Sequence, residues 1–242
     1  MSAKLRQYFY ILPLLYLFVA VFVARGKVQY VYMAVTVLVV LTAFAQFRTK
    51  QKPLLFLAQW MSTLSAIGLS AAVILSIEKI ELLAEPGRVA SCSLSPIVAC
   101  SPIISSPQAS AFGFANSFFG IFGFTAVLTA AITIAAGATK LSKMWWRTLL
   151  AGMAAGAVFS SWLIYQGLFD IGKLCLYCLL VWLVSFGLLW LTASYCVDNK
   201  HINLGTKLNK LLSYKYELVM TTYVIIFTLI FFHWSDYWVS LF

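Results

Sequence analysis

Leu174-Cys175-Leu176-Tyr177-Cys178-Leu179-Leu180-Val181-Trp182-Leu183-Val184-Ser185-Phe186-Gly187-Leu188-Leu189-Trp190-Leu191-Thr192-Ala193-Ser194-Tyr195-Cys196 runs without a charged side chain. An apolar stretch of roughly 17–25 residues is long enough to cross the hydrocarbon of a bilayer as a helix. This one opens on a Cys-x-x-Cys pair. Two thiols at that spacing can close into a disulfide on one helical turn, so they can store and release two electrons. At a membrane surface the acceptor can be a molecule dissolved in the lipid.

The rest of the chain has the same character. Of its 242 residues 62% are hydrophobic and 10% charged, with a mean hydropathy of +0.93. Soluble domains are nearer half apolar and a quarter charged, so the expected fold is an all-α integral membrane protein. The net charge of +10 is accounted for by Lys and Arg in short cytoplasmic loops. Because these charges are scattered singly between spans, no nucleic-acid partner is expected.

Working outward, further spans are expected at Tyr8–Ala24, Val28–Phe47, Leu54–Ile77, Ser117–Thr139, Thr148–Phe169 and Leu218–Trp234, about seven in all with Leu174–Cys196. A long non-spanning segment, 78–116, separates the third from the fourth, and a polar connector, Val197–Lys215, precedes the last. The first span also has the form of a signal peptide, but Pro13, its tyrosines and the lack of a small-x-small cleavage site favour a retained helix. Gly120, Gly123, Gly137, Gly152 and Gly156 are expected to let helices approach closely in lipid.

Alternation of seven spans divides the basic residues between two faces. Lys4, Arg6, Arg48, Lys50, Lys52, Lys140, Lys143, Arg147, Lys200, Lys207, Lys210 and Lys215 fall on one, and Arg25, Lys27, Lys79, Arg88 and Lys173 on the other, twelve against five. The richer face is cytoplasmic by the positive-inside bias. The N-terminus is then cytoplasmic, and segment 78–116, the start of the sixth span and the C-terminus face outward.

That topology sets the chemistry open to the five cysteines. Cys92, Cys100, Cys175 and Cys178 all face an oxidising compartment, where disulfides persist. Cys196, about 30 Å along the same helix, cannot join them and behaves as a small apolar residue. Redox exchange, structural disulfides and a tetrahedral metal site are the competing readings. A bridge within a helical Cys-x-x-Cys is strained and readily reduced, and neither His201 nor His233 lies near the loop, so redox exchange is preferred and no metal is expected. The helix N-terminus and Lys173 favour a thiolate here. Asp170 is expected to pair with Lys173. Asn116 is placed to cap the fourth span, and Trp182 shares the helical face of Cys178.

Three features resemble the vitamin K epoxide reductase family, in its bacterial quinone-linked branch. They are Cys92…Cys100 with the intervening Ser95-Pro96-Ile97-Val98; Phe112-Gly113-Phe114-Ala115-Asn116-Ser117-Phe118-Phe119-Gly120; and Gln166-Gly167-Leu168-Phe169-Asp170-Ile171-Gly172-Lys173-Leu174-Cys175-Leu176-Tyr177-Cys178 followed by Trp182. The resemblance covers 54–196 and implies a four-helix catalytic core there; two extra helices in 1–53 and a basic connector plus last helix in 197–242 lie outside it. It implies that Cys92 and Cys100 take electrons from a separate thioredoxin-like disulfide oxidoreductase and that Cys100 exchanges with Cys175. Cys178 would then face a quinone (ubiquinone or menaquinone). Asn116 would donate to a quinone oxygen, with Phe114 and Trp182 lining the ring. The implied setting is a bacterial inner membrane with the site facing the periplasm or extracytoplasmic side, in support of disulfide formation there. The chain departs from the family's usual pattern at Leu176 and Ala115, where Pro is common, and at the charged Asp170 and Lys173. The alternative from a different class is a transporter or assembly subunit with structural disulfides. Against it stands the near absence of charge within the spans, which transport pathways commonly require.

Overall fold

The computed structural model describes residues 53–85 and 87–239. The first two expected spans, Tyr8–Ala24 and Val28–Phe47, lie outside the described residues. The chain is an all-helical integral membrane protein, with five described helices long and apolar enough to cross a bilayer. We label the elements α1 (Pro53–Ala84), α2 (Cys100–Ser105), α3 (Ser117–Ala135), α4 (Lys143–Tyr165), α5 (Leu176–Asp198), α6 (Thr206–Leu212), α7 (Lys215–His233) and α8 (Ser235–Val239). A 3-10 turn, Pro107–Ser110, follows α2, and a π-helical turn, Gln166–Ile171, extends α4.

Helix α1 is the central post. Its small residues, among them Ala58, Ala66, Gly68, Ala71 and Ala72, let α3 lie along one side and α5 along another. A Cβ at Gly68 would stand 2.7 Å from the Phe124 ring, so glycine there sets the α1–α3 spacing. Three of its buried hydroxyls are satisfied within the helix: Ser62 donates to the Gln59 carbonyl, Ser70 to Ile67 and Ser76 to Ala72, at 2.8–2.9 Å. That matters in lipid, where an unmatched polar group has no water to turn to. Helices α4 and α7 pack on α5, while α3 and α4 touch only sparsely.

Several expected boundaries move. Helix α1 continues from Ile77 to Ala84, so the outer segment begins later than residue 78. Glu78, Lys79 and Glu81 mark the end of the hydrocarbon rather than of the helix, since Glu and Lys are good helix formers. At 32 residues and a rise of about 1.5 Å each, α1 outruns the roughly 30 Å apolar slab. Helix α4 starts at Lys143 rather than Thr148, because the Ser142 hydroxyl accepts the Trp145 N–H at 3.1 Å and caps it. The polar connector contains a further helix, α6, that its composition did not announce. Of the glycines expected at close helix contacts, Gly120 meets Ala72, Gly123, Gly152 and Gly156 face no described neighbour, and Gly137 adopts a left-handed turn.

One end of the bundle gathers the last turns of α1, the 85–116 segment, the start of α3, the π turn and the start of α5. The other gathers Lys140, Lys143, Arg147, Lys200, Lys207, Lys210 and Lys215. At this basic end the His201 ring stacks on Trp146, with centroids 5.5 Å apart, and Arg147 Nε donates to the His201 carbonyl.

Candidate active site

The segment between α1 and α3 is rich in serine, and serine hydroxyls knit it. Ser93 Oγ accepts the N–H groups of Cys100 and Ser101 (3.2 and 3.4 Å), Ser95 Oγ that of Val98 (3.0 Å) and Ser101 Oγ that of Ala90 (2.7 Å). These bonds fold the chain back on itself, and Cys92 and Cys100 close into a disulfide.

The folded loop docks on the residues that lead into α5. Leu174 N–H donates to the Ile97 carbonyl at 2.9 Å and Ala99 N–H to the Leu174 carbonyl at 3.1 Å, a single parallel bridge between Val98 and Leu174. Lys173 Nζ adds a bond to the Pro96 carbonyl at 2.8 Å. Gly172 makes the approach possible: at φ 64° it takes the left-handed conformation that ends the π turn, one that glycine adopts without a Cβ penalty.

This docking places Cys175 Sγ 3.1 Å from Cys100 Sγ. Cys175 is the N-cap of α5, and its sulfur accepts the Cys178 N–H at 3.4 Å. The sulfurs of Cys92, Cys100 and Cys175 all lie within 4.8 Å of one another. Such a cluster has the makings of a metal site, but two of its sulfurs are joined to each other, so its geometry is that of a disulfide with a third thiol poised against it. Cys92, Cys100 and Cys175 are 1%, 0% and 0% exposed, whereas Cys178 is half-buried. Cys196 is buried near the opposite end of α5.

Asn116 does not cap α3 with its side chain. Its Nδ2 donates to the Gln108 carbonyl (2.6 Å) and its Oδ1 accepts the Ala111 N–H (3.1 Å), bracing the 3-10 turn. Gln108 in turn donates to Asp170. Asp170 is therefore not paired with Lys173, which reaches the loop instead; each finds a nearer partner on another element. Phe114 is exposed and lies against Phe118 and Phe119, and Phe112 touches Phe119 and Phe159, which stacks on Trp162. These rings line the sparse contact between α3 and α4. Trp182 is 2% exposed and packs with Ile97, Ile164, Leu168 and Leu174. A cavity of about 280 Å³ lies at the basic end, between Pro53, Trp60, Leu191 and Lys215, away from the cysteines.

The vitamin K epoxide reductase family profile matches residues 59–193, more than half of the chain. The chain belongs to the vitamin K epoxide reductase family. A comparison with curated proteins finds no match. Membership in this family makes the protein a membrane oxidoreductase of the thiol–disulfide kind, and the Cys92–Cys100 disulfide with Cys175 against it agrees with that chemistry.

Three groups in this vitamin K epoxide reductase relative escaped the sequence reading. Glu78 is 4% exposed, with Oε1 accepting the Ser91 N–H at 3.2 Å and Oε2 buried without a partner. The Tyr177 hydroxyl, between the two cysteines in sequence, interacts with Ser91, Glu78 and Cys175. Gln108 links Asn116 to Asp170. A carboxyl set directly against the end of an apolar run was the available signal for Glu78. Nothing local marks Gln108.

Proposed function

We propose that this protein is a membrane thiol–quinone oxidoreductase supporting disulfide formation outside the cytoplasm. Residues 54–196 are its catalytic core. Electrons enter at Cys92/Cys100 from a separate thioredoxin-like protein, pass to Cys175/Cys178 and leave to a quinone. The observation that carries the reading is the graded burial of four sulfurs. Three are sealed and in mutual reach, while Cys178, the last, keeps an accessible side. The division of basic residues between the bundle's ends supports a cytoplasmic basic end, with the cysteines facing the periplasm or its equivalent across a bacterial inner membrane.

A bound quinone supplies a two-electron sink. Quinones are the electron partners used in this family, and the residues present suit one. Asn116 keeps a second amide hydrogen after serving Gln108, and Phe112, Phe114 and Phe119 offer exposed ring faces beside it. Trp182, fully buried, acts as a wall behind Cys178 rather than as an open ring platform.

The protein's own residues organise the exchange. Lys173 and the Val98–Leu174 bridge hold Cys100 Sγ at attack distance from Cys175 Sγ. Negative charge arriving on Cys175 meets the Cys178 N–H and the first turn of α5, where unpaired amides favour it. Each transfer between cysteine pairs is attack of a thiolate on a disulfide sulfur.

The test is turnover of purified full-length protein with a reduced thioredoxin-like donor and a short-chain ubiquinone. Oxidation of the donor is expected only with quinone present. Cys178→Ala is expected to abolish quinone reduction and Cys92→Ala to block transfer from the donor. Activity like the parent's in both variants overturns the scheme.

A further inference from the structure

The relay moves a proton as well as electrons, and the sealed chamber leaves that proton few routes. When the loop is oxidised, the Cys100 thiolate attacks Cys175 Sγ. The Cys175–Cys178 bond breaks, and its electron pair leaves on Cys178. The Cys92 thiolate then attacks Cys100 Sγ, forming the loop disulfide as the Cys100–Cys175 bond breaks and its electron pair leaves on Cys175. The loop loses two electrons and the Cys-x-x-Cys pair gains them. In the second step Cys92 gives up a proton and Cys175 receives one. Both sulfurs are cut off from solvent, at 1% and 0% exposure.

The one carboxyl buried among the described residues stands at this place. Glu78 Oε1 holds the N–H of Ser91, the residue before Cys92, and Oε2 is buried without a hydrogen bond. On the α5 side Tyr177 is 2% exposed, its hydroxyl bonded to the Ser91 side chain and within electrostatic reach of Glu78 and Cys175. The other charged groups nearby are engaged elsewhere: Lys79 donates to the Ile104 carbonyl on α2, and Glu81 pairs with Arg88. The groups facing Glu78 are thus Tyr177 from α5 and the Ser91 amide of the loop, with Tyr177 in turn beside Cys175.

We propose that Glu78 carries this proton, taking it from the Cys92 side of the chamber and returning it to Cys175 by way of the Tyr177 hydroxyl. A carboxylate is the side chain suited to this, because it accepts and releases a proton without any other group moving. The inference rests on the cysteine relay described above and adds the proton's path to it. A purely structural Glu78, serving only to hold the Ser91 N–H, would be replaced well by Gln, which keeps an acceptor oxygen and loses the capacity to take up a proton.

Fully reduced full-length protein in micelles is mixed with a short-chain ubiquinone, quenched in acid, alkylated and analysed for both disulfides by mass spectrometry. In Glu78→Gln the Cys175–Cys178 disulfide is expected at the parent rate. The Cys92–Cys100 disulfide is expected to lag by about a hundredfold near neutral pH, the scale of general acid–base assistance. The lag is expected to shrink about tenfold per pH unit as hydroxide takes over. Glu78→Asp is expected to recover most of the rate, and Tyr177→Phe, which keeps the ring, to show the same lag should Glu78→Gln not accumulate. A loop disulfide forming at the parent rate in Glu78→Gln or Tyr177→Phe, or a lag equal at every pH and shared by Glu78→Asp, overturns the inference and leaves the relay standing. Failure of quinone to oxidise Cys175 and Cys178 in the parent protein overturns the relay itself, and the proton path with it.

Discussion

Lys173→Met tests whether docking of the loop governs access to it. Cys92 and Cys100 are 1% and 0% exposed, so an external dithiol reaches their disulfide only when the loop lifts from Leu174. Three bonds resist lifting: Leu174 N–H to Ile97, Ala99 N–H to Leu174, and Lys173 Nζ to Pro96. Methionine keeps the stem and removes the last. A hydrogen bond from a charged donor contributes about 1.5–3 kcal/mol when buried, and the solvent-facing setting of Lys173 brings this to about 1 kcal/mol. The open population then rises about fivefold. In the assay, full-length protein in micelles carrying Cys175→Ser and Cys178→Ser, with and without Lys173→Met, is reduced by dithiothreitol, and loss of the Cys92–Cys100 disulfide is followed by mass. Reduction is expected to accelerate about fivefold, with hydrogen exchange at the Ala99 and Leu174 amides accelerating by the same factor. Reduction at an unchanged rate would refute the idea that Lys173 latches the loop. Faster reduction without faster amide exchange would place the effect on the sulfur's surroundings instead.

Other outcomes follow from the packing. Gly68→Ala drives a Cβ to 2.7 Å from the Phe124 ring, so a loss of about 1–3 kcal/mol is expected, seen as a lower melting temperature that Phe124→Leu in the same chain largely restores. Trp182→Ala is expected to cost about 3–5 kcal/mol through an unfilled core site, whereas Trp182→Phe should fold and retain thiol exchange. Asn116→Ala frees both the Gln108 carbonyl and the Ala111 N–H; the quinone concentration for half-maximal rate should rise while dithiothreitol reduces the loop at the parent rate. At the basic end, burial first and the Lys143 charge second hold His201 below its ordinary 6.5. The unfolded chain therefore binds this proton more readily. Stability is full above pH 6.5 and falls as pH drops through the folded value, a slope in melting temperature that His201→Gln should remove.

The spans and the cysteines could be read in advance because both are local. Leu174–Cys196 is apolar whatever it packs against, and the Cys175–Cys178 spacing belongs to one helical turn. Where helices stop was less legible, since Glu78 and Lys79 look like the edge of a span but find partners in Ser91 and Ile104 that allow α1 to run on. The same holds for Asp170 and Lys173. Three residues apart, they suggested a pair, yet Gln108 and Pro96, distant in sequence, take them instead. Gly68 passed unnoticed because its importance depends on Phe124 from another helix. Of the site, then, the sulfur atoms were visible and their supports were not: the bridge at Val98, the latch at Lys173 and the carboxyl at Glu78 exist only once the loop has docked.

The central claim is that Cys100 and Cys175 exchange directly. Full-length protein carrying Cys92→Ala and Cys178→Ala keeps these two sulfurs and removes the partner that would resolve each. After mild oxidation, peptide mapping is expected to find Cys100 and Cys175 joined to each other in most molecules, as their 3.1 Å approach requires. Two free thiols at those positions, or either one joined to Cys196, would contradict the account.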